Sequence, residues 1–302
     1  MNTQEILSAN FTKTEKIRRL LELGLTRRQV ADLTGGNYGF VQNVFAKYWP
    51  ENVNGREFRF IAFNRKFGVE IEAYGVEMQR VENALRSAGI YAETERYNHS
   101  TRRHWKLVTD GSLTGVNTFE LVSPILEGMS GLNELEKVCE VLETLNVKIN
   151  KTCGLHIHFD ATQMGLQQTK NLLLNYAKLE EAIDSFMPHS RRGNNNSYTR
   201  TLRGHETKIE NADSISKIAS GFGSRYFKVN MQAYERHRTI EFRQHSGTVE
   251  FKKISNWVIF LHNLVEYSKT KRVETTTFET LKKFNQAEVY NYLVTRQNQL
   301  AA

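Results

Sequence analysis

Four short stretches of the chain carry charged side chains at alternate positions within apolar runs. They are FGVEIEAY at 67–74, TFELVSP at 118–124, CGLHIHFD at 153–160 and TIEFRQH at 239–245. Successive side chains of a β-strand point to opposite faces, so each stretch would separate its apolar residues from its charged ones. We therefore predict a sheet whose polar face presents Glu70, Glu72, Glu120, His156, His158, Glu241 and Arg243.

The residue types on this predicted face indicate a site for divalent cations and phosphate. Carboxylates in an otherwise apolar strand must be solvated or hold cations, because burying unpaired charge is expensive. Several carboxylates with a few histidines, and no cysteine pair, favour magnesium or manganese over structural zinc. The nearby Arg243 indicates phosphate, which a guanidinium can bind through two hydrogen bonds.

Two other interpretations of these residues stay open. A Glu-x-Glu pair on an exposed sheet face is commonly just solvated. A His-x-His pair can instead mark a transition-metal enzyme, cupin-like or hydrolytic. That second interpretation leaves Glu70, Glu72 and Arg243 without a role.

Strand and helix patterns alternate from residue 59 onward. Apolar residues recur at helical spacing over 76–90, 131–147, 166–187 and 251–270, while strand patterns cover 104–113, 117–126 and 225–234 besides the charged stretches. This order predicts an α+β fold. Helices would cover one face of an antiparallel sheet, and an open active-site cleft would lie on the other.

The first fifty residues have helical periodicity and predict three short helices that form a helix-turn-helix. Thr26 is a good N-cap for the second helix, and glycines at 35 and 36 precede the third. The expected helical core is Ile17, Leu20, Leu21, Val30, Leu33, Val41 and Val44. DNA contacts are predicted for Arg27, Arg28, Asn37, Tyr38, Gln42, Asn43 and Lys47. A helical hairpin for packing or dimerisation is the alternative.

Length and composition set the broad class. With 302 residues the chain can bury a large core, and its formal net charge of +8 favours polyanionic partners such as nucleic acid or nucleotide phosphates. Cys139 and Cys153 form no CxxC or zinc-ribbon spacing, and there is no signal sequence or long apolar run. We expect a reduced, cytoplasmic protein without a membrane segment.

Several motifs, in their order along the chain, resemble the amidoligase family of bacteria and phages. They are FGVEIEAYG, TDGSLTG with FELVSPIL, CGLHIHFD, and RYFKVNMQAY with TIEFRQHSGT, and SRRGNNNSYTRTL is similar to the family's Arg-and-Tyr segment. These carboxylate-amine ligases share the catalytic fold of glutamine synthetase and glutamate-cysteine ligase. The resemblance covers roughly residues 60–265 and implies a catalytic domain at 59–268. Helical periodicity and the polar connector, outside the resemblance, predict a helix-turn-helix at 1–50, a linker at 51–58 and a helical extension at 269–302.

The resemblance also implies ATP-dependent amide formation with Mg²⁺ or Mn²⁺. A carboxylate would attack the γ-phosphate, and an amine would displace phosphate from the resulting acyl phosphate. Glu70, Glu72, Glu120 and Glu241 would hold the cations, and the implied catalytic residues are Arg243, Asp110 and His156. Nucleotide or substrate would be bound by His158, Lys228, Asn230, Arg191, Arg192 and Tyr198.

Two ways of combining the predicted units remain. The helix-turn-helix could bring a ligase to DNA or let it regulate its own operon. Alternatively, the chain is a DNA-binding regulator whose ligase-like domain is catalytically silent and senses a ligand. The carboxylate and amine substrates could be small or macromolecular, and a homo-oligomer would follow by analogy with related ligases.

Overall fold

The protein has the predicted α+β architecture. Its computed structural model describes residues 2–48 and 62–301, so the predicted linker at 51–58 lies outside the described residues. Among the described residues, every helix is too short or too polar to cross a lipid bilayer.

The N-terminal unit contains four helices, one more than predicted. They are α1 (Thr3–Ser8), α2 (Lys13–Glu22), α3 (Arg27–Thr34) and α4 (Tyr38–Tyr48). The unpredicted α1 begins with a capping box, in which Asn2 and Glu5 bond each other's backbone amides.

The ends of α3 follow the expected capping chemistry. Thr26 accepts a hydrogen bond from the Gln29 amide, and Gly35 ends the helix with a φ of 55°, in the left-handed region that glycine tolerates. The predicted helical core is buried except for Leu33, which is 42% exposed. That prediction was wrong because Leu33 lies on a face of α3 that the other N-terminal helices leave uncovered.

In the part of the chain that the structure describes, eight strands form a single mixed sheet. The strand bounds are β1 Lys66–Ala73, β2 Ala92–Thr94, β3 Trp105–Val108, β4 Phe119–Val122, β5 Leu126–Glu127, β6 Leu155–Asp160, β7 Val229–Asn230 and β8 Thr239–Phe242. The order is β2-β3-β4-β1-β6-β8-β7, with β5 paired to the start of β1. The β2–β3 pair is parallel and the other pairs are antiparallel, so the expectation of a wholly antiparallel sheet is corrected.

Within residues 62–301, eight further α-helices follow the N-terminal unit. They are α5 Met78–Ser87, α6 Gly128–Thr144, α7 Leu166–Ser185, α8 Glu206–Asn211, α9 Ile215–Gly221, α10 Gln232–His237, α11 Phe251–Ser268 and α12 Ala287–Ala301, with short 3-10 helices at His189–Arg191 and Phe278–Lys283. The strand predicted over 225–234 is therefore only β7. The Asn230 side chain accepts a hydrogen bond from the Gln232 amide, which turns the chain into α10.

The apolar side chains of the central strands face the helices. Val69 and Ile71 of β1 and Ile157 of β6 are fully buried in the main core, and Phe242 of β8 packs its ring 5.8 Å from that of Tyr176 in α7. Burying such a side chain contributes about 1.5–3 kcal/mol. Strand alternation then directs the charged residues to the opposite face, where the candidate site lies.

Candidate active site

Strand register brings the predicted charged residues together. The β1–β6 pairing sets Glu70 opposite His156, and the β1–β4 pairing sets Glu72 opposite Glu120. In the next pair, β6 and β8 set His158 opposite Glu241. Directly opposed side chains on neighbouring strands have their Cβ atoms about 4.5–5.5 Å apart. Residues far apart in sequence thus form one polar cluster on the sheet, which we call the acidic face.

His156 lies at the centre of the acidic face. Its Nδ1 is 3.0 Å from Glu70 Oε2 and 3.6 Å from Glu241 Oε1, while its Nε2 is 3.6 Å from Glu72 Oε1. His158 lies beside it, with Nε2 3.2 Å from Glu70 Oε1. The imidazoles therefore separate carboxylates that would otherwise repel one another.

Glu241 is fixed by two donors. Arg243 donates to Glu241 Oε1 at 2.5 Å, and the Asn230 amide donates to Oε2 at 2.5 Å. Arg243 is buried, and its Nε has no hydrogen-bond acceptor among the described residues. The Nε–H of Arg243 is thus available to donate to an acceptor on a ligand.

A glycine makes room at the other end of the acidic face. The Gly154 amide donates to Glu72 Oε2 at 2.5 Å. A Cβ at this position would lie 3.0 Å from His156 Nε2 and 3.2 Å from Glu72 Oε2, so a larger residue would displace both side chains. Arg191 is also buried here: it donates to the Cys153 carbonyl at 2.5 Å, and its Nε lacks an acceptor among the described residues.

The carboxylates of the acidic face differ in their proton affinity. Burial raises the pKa of Glu120 well above its ordinary value, and the nearby carboxylates of Glu70, Glu72 and Asp110 raise it further. Glu120 therefore prefers a proton or a cation to the bare anionic form.

Glu70 shows the opposite behaviour. Burial by itself would raise its pKa, but the neighbouring His158 and His156 outweigh burial and hold the pKa well below its ordinary value. Burial likewise opposes protonation of His158, yet the Glu70 and Glu241 carboxylates raise the pKa of this imidazole. Glu70 and His158 thus behave as an ion pair.

The donor set of the acidic face fits a divalent cation. Ligand atoms of Glu70, His156 and Glu241 lie within 4.8 Å of one another, and so do those of Glu72, Glu120 and His156. A cation between such groups would take the place of the proton that Glu120 favours. Carboxylate oxygens are the donors that Mg²⁺ and Mn²⁺ prefer, and imidazole is compatible with Mn²⁺.

The cleft is less open than predicted. Glu72, His156 and Glu241 are about 95% buried, whereas Glu70, Glu120 and His158 remain partly exposed. Segments around Arg191 and β7 supply side chains that cover part of the acidic face.

Lys228 and Asn230 do not share a site, although strand alternation had placed them on one face. The Lys228 ammonium is fully buried between Glu180 and Asp184 of α7, at 2.8 and 2.6 Å. Only Asn230 reaches the acidic face. Lys228 departs from the alternation because it precedes the two-residue β7 and extends toward the carboxylates of α7.

Three other predicted residues lie at the margins. Arg192 donates to the carbonyls of Met187 and Leu300, so part of its guanidinium is engaged away from the acidic face. Tyr198 is 45% exposed. Asp110 accepts hydrogen bonds from the amide and hydroxyl of Ser112, both at 2.7 Å, and acts on the acidic face through its charge on Glu120.

Sequence reasoning missed polar neighbours of the site. Lys106 of β3 lies on the same sheet face as Glu120, because Val108 pairs with Glu120 and side chains alternate. Its signal was available, since Lys106 lies between Trp105 and Leu107 in an apolar run. The Thr239 hydroxyl lies 3.0 Å from His158 Nδ1, and its position two residues before Glu241 was the signal for it.

The predicted DNA-contact residues divide into paired and available groups. Arg27 donates to Gln42, so these two side chains satisfy each other. Asn37 accepts a hydrogen bond from the Gly39 amide at 2.7 Å at the start of α4. Exposed side chains remain at Arg28, Tyr38, Asn43 and Lys47.

Known proteins similar to this chain include a solved structure and a protein family. A solved structure described as "Crystal structure of novel glutamine synthase homolog" aligns at a TM-score of 0.40 and 11% identity, over 79% of this chain and 67% of that chain. No curated protein matches this chain. Residues 63–265, which carry the whole acidic face, match the family described as "Putative amidoligase enzyme", and the chain belongs to that family.

Proposed function

We propose that this chain is an ATP- and Mg²⁺-dependent carboxylate-amine ligase. The observation that carries the proposal is the acidic face itself. Carboxylates of three neighbouring strands surround His156 there, and Arg243 lies beside them with a free donor. Membership of the amidoligase family supports amide formation as the reaction class.

The proposed reaction has two steps. A substrate carboxylate oxygen attacks the γ-phosphorus of ATP, and ADP leaves. An amine nitrogen then attacks the acyl carbon, phosphate leaves, and the amine loses a proton. Amide formation thereby consumes one ATP and releases ADP and phosphate.

The chain's residues have distinct tasks in this scheme. Glu70, Glu72, Glu120 and Glu241, with His156, would hold the cations. When bound, a divalent cation neutralises negative charge on the phosphates. Arg243 would direct its unpaired Nε donor at the transferring phosphoryl group, fixed in place by its contact with Glu241.

Asp110 and Arg191 are assigned to the substrates. Asp110 projects negative charge toward Glu120 from a turn and would attract a cationic amine. Arg191 is buried next to Gly154 and would bind the acceptor carboxylate. His158 would bind phosphate beside Glu70.

The proposal is tested by Mg²⁺-dependent release of ADP and phosphate, with glutamate, other amino acids and polyamines offered as substrates. Glu70→Ala and Arg243→Ala should each lower turnover by at least about 100-fold, as loss of a charge-stabilising group typically does. Glu136→Gln, on the exposed side of α6, is the control and should be unchanged. Wild-type protein that neither binds nor hydrolyses ATP in any mixture would refute the proposal.

We further propose that the N-terminal helices direct the ligase to DNA. The supporting observation is the row of exposed polar side chains at Arg28, Asn43 and Lys47 next to Tyr38 on α3 and α4. Helices α3 and α4 have the short turn that a helix-turn-helix requires.

Footprinting at low salt tests this second proposal, because the electrostatic part of DNA binding is strongest there. A variant combining Arg28→Ala with Lys47→Ala should bind at least tenfold more weakly, while Lys137→Ala on α6 should not change. No protection of any DNA at low salt would refute it. DNA binding without ATP turnover would favour the catalytically silent regulator instead.

A further inference from the structure

The acidic face is bordered on one side by aromatic and cationic side chains. Two of them, Tyr97 and His99, belong to the 95–104 connection between β2 and β3. The others surround β7 and α10. We call this set the Tyr/Arg rim: Tyr97, His99, Tyr198, Arg225, Tyr226 and Arg236.

Ring contacts connect the rim to the acidic face. His237 of α10 meets His158 edge-on, with ring centroids 6.4 Å apart. Burial lowers the pKa of His237, and the nearby positive charges of His158 and Arg236 lower it further, which places Arg236 close to this junction. The rim is thus continuous with the acidic face through His237.

The outer part of the rim is built from aromatic rings in edge-to-face contact. Tyr198 and Tyr226 pack edge-to-face with centroids 5.1 Å apart, and the Arg225 guanidinium lies 5.4 Å from the Tyr226 ring. On the facing side, the Tyr97 ring lies 5.0 Å from that of His99. Burial would lower the pKa of Arg225, but the neighbouring Tyr226 and Tyr97 raise it, so this arginine lies near residues of both sides.

A buried lysine holds the 95–104 connection in place. Lys106 Nζ donates to the carbonyls of Asn98 and Ser100 at 3.0 and 2.9 Å. Lys106 itself lies on the sheet face that carries Glu120. The hydrogen bonds of Lys106 therefore hold Tyr97 and His99 beside the acidic face.

The chemistry of the rim matches a nucleotide. Aromatic faces and arginine planes stack on nucleobases, and exposed cations attract phosphates. Tyr97 is 51% exposed and Tyr198 45% exposed, so both rings have open surface to offer. Phosphates extending inward from a base on this rim would pass Arg236 before they reach the acidic face.

We propose that the Tyr/Arg rim is the nucleobase subsite for the ATP of the ligase reaction, an inference that rests on the proposed function. The base stacks on the exposed ring of Tyr198, which the edge-to-face contact with Tyr226 holds in place, and the polyphosphate runs past Arg225 and Arg236 toward His158. The acceptor carboxylate then enters from the opposite end of the acidic face, where Arg191 lies.

The test measures binding of Mg·ADP and of Mg·triphosphate, which lacks a base, to the full chain by calorimetry. Tyr198→Ala should weaken ADP binding about 10- to 100-fold, the usual effect of losing one stacked base contact, and leave triphosphate binding unchanged. Tyr226→Ala removes the ring that holds Tyr198 and should act in the same direction. Arg236→Ala should weaken both ligands. Tyr226→Phe keeps the ring and should retain ADP affinity.

Tyr91 provides a matched control. It is 56% exposed and packs under Arg86, with the guanidinium 4.9 Å from the ring, in the edge region beside β2 and α5. Tyr91→Ala should leave ADP binding unchanged, although it removes the same kind of Tyr–Arg contact.

The outcomes separate the subsite from the reaction. If the wild type binds ADP and both tyrosine-to-alanine variants bind it equally well, the nucleobase subsite is overturned and the ligase proposal stands. Wild-type protein that binds neither ADP nor triphosphate would overturn both. If Tyr226→Ala abolishes binding of a single-stranded oligonucleotide and not of ADP, the rim serves nucleic acid and the proposal is overturned.

Discussion

Two buried charged clusters lie side by side in this protein and differ in how fully they satisfy themselves. In the lysine cluster, Lys228 lies between Glu180 and Asp184 of α7. The other two carboxylate oxygens of this pair accept hydrogen bonds from the amides of Leu202 and Gly193, at 3.0 and 2.7 Å. Each of the four carboxylate oxygens therefore has a donor.

The acidic face is arranged differently. Glu120 lies among the carboxylates of Glu70, Glu72 and Asp110, which raise its pKa. Arg243 and Arg191 each keep an unpaired buried donor among the described residues. Leaving a buried donor unsatisfied costs about 1–3 kcal/mol. A buried cluster whose charged groups are all paired indicates a structural role. A cluster with repelling carboxylates and unpaired donors indicates a ligand-binding site.

The lysine cluster is also hydrogen-bonded to the segments that carry the arginines of the acidic face. Gln244 donates to Asp184 Oδ1 at 2.5 Å and to the Arg191 carbonyl at 3.2 Å. The Lys228 carbonyl accepts a hydrogen bond from the Arg243 amide at 2.8 Å. The backbones that carry both arginines of the site are thus tied to the lysine cluster.

The largest expected effect comes from breaking the lysine cluster. Lys228→Met should lower the free energy of unfolding by about 3–5 kcal/mol, because it leaves two buried carboxylates without their cation. Urea denaturation measures the loss, and Lys66→Met, at an exposed position of β1, should change little. Adding Glu180→Gln and Asp184→Asn should restore part of the stability. If Lys228→Met lowered the free energy of unfolding by less than about 1 kcal/mol, the lysine cluster would not have the structural role that distinguishes it from the acidic face.

A smaller effect of opposite sign is expected on the acidic face. Because the folded-state pKa of Glu120 is raised, folding favours its protonated form, and that stability is lost as pH rises through the raised pKa. Glu120→Gln mimics the protonated form and should therefore stabilise the chelator-treated protein at pH 8, where the wild-type carboxylate repels its neighbours.

The same variant separates stability from function. Glu120→Gln should gain less as pH falls toward 5 and should lose Mg²⁺-dependent stabilisation and turnover. Thermal denaturation with and without Mg²⁺ at several pH values measures both effects, with Glu136→Gln as the control. If Glu120→Gln destabilised the protein at pH 8, repulsion between Glu120 and the neighbouring carboxylates would be contradicted.

The smallest effect is expected at an exposed ion pair. Arg272 donates to both carboxylate oxygens of Glu210, at 2.8 and 2.9 Å, and both side chains are more than 40% exposed. Glu210→Ala should cost less than about 1 kcal/mol in urea denaturation, because solvent screens the pair. A cost comparable to that of Lys228→Met would mean that pairing matters more than burial.

Much of the acidic face could be predicted from residue alternation. In β1 and β6, the apolar residues at every second position left Glu70, Glu72, His156 and His158 only one face to occupy. The same rule would have identified Lys106. It failed at Lys228, whose strand is only two residues long, because nothing in a local pattern reveals carboxylates on α7 more than 40 residues earlier.

His245 illustrates the same limit of strand alternation. It follows Glu241 and Arg243 at the spacing that would place it on the acidic face, but β8 ends at Phe242. His245 instead packs against Trp257 of α11, with ring centroids 5.5 Å apart, and burial lowers its pKa to about 4.

The amino-acid sequence by itself determined which side of each strand is polar, the helix caps, and the family motifs in their order. These depend on neighbours within a few residues, where backbone geometry is regular. Only the tertiary structure decided which carboxylates face one another, which are already paired, and which arginines keep a free donor. Those properties depend on strand register and on contacts between distant segments. Burial then determines the strength of each electrostatic interaction, because it lowers the local dielectric constant.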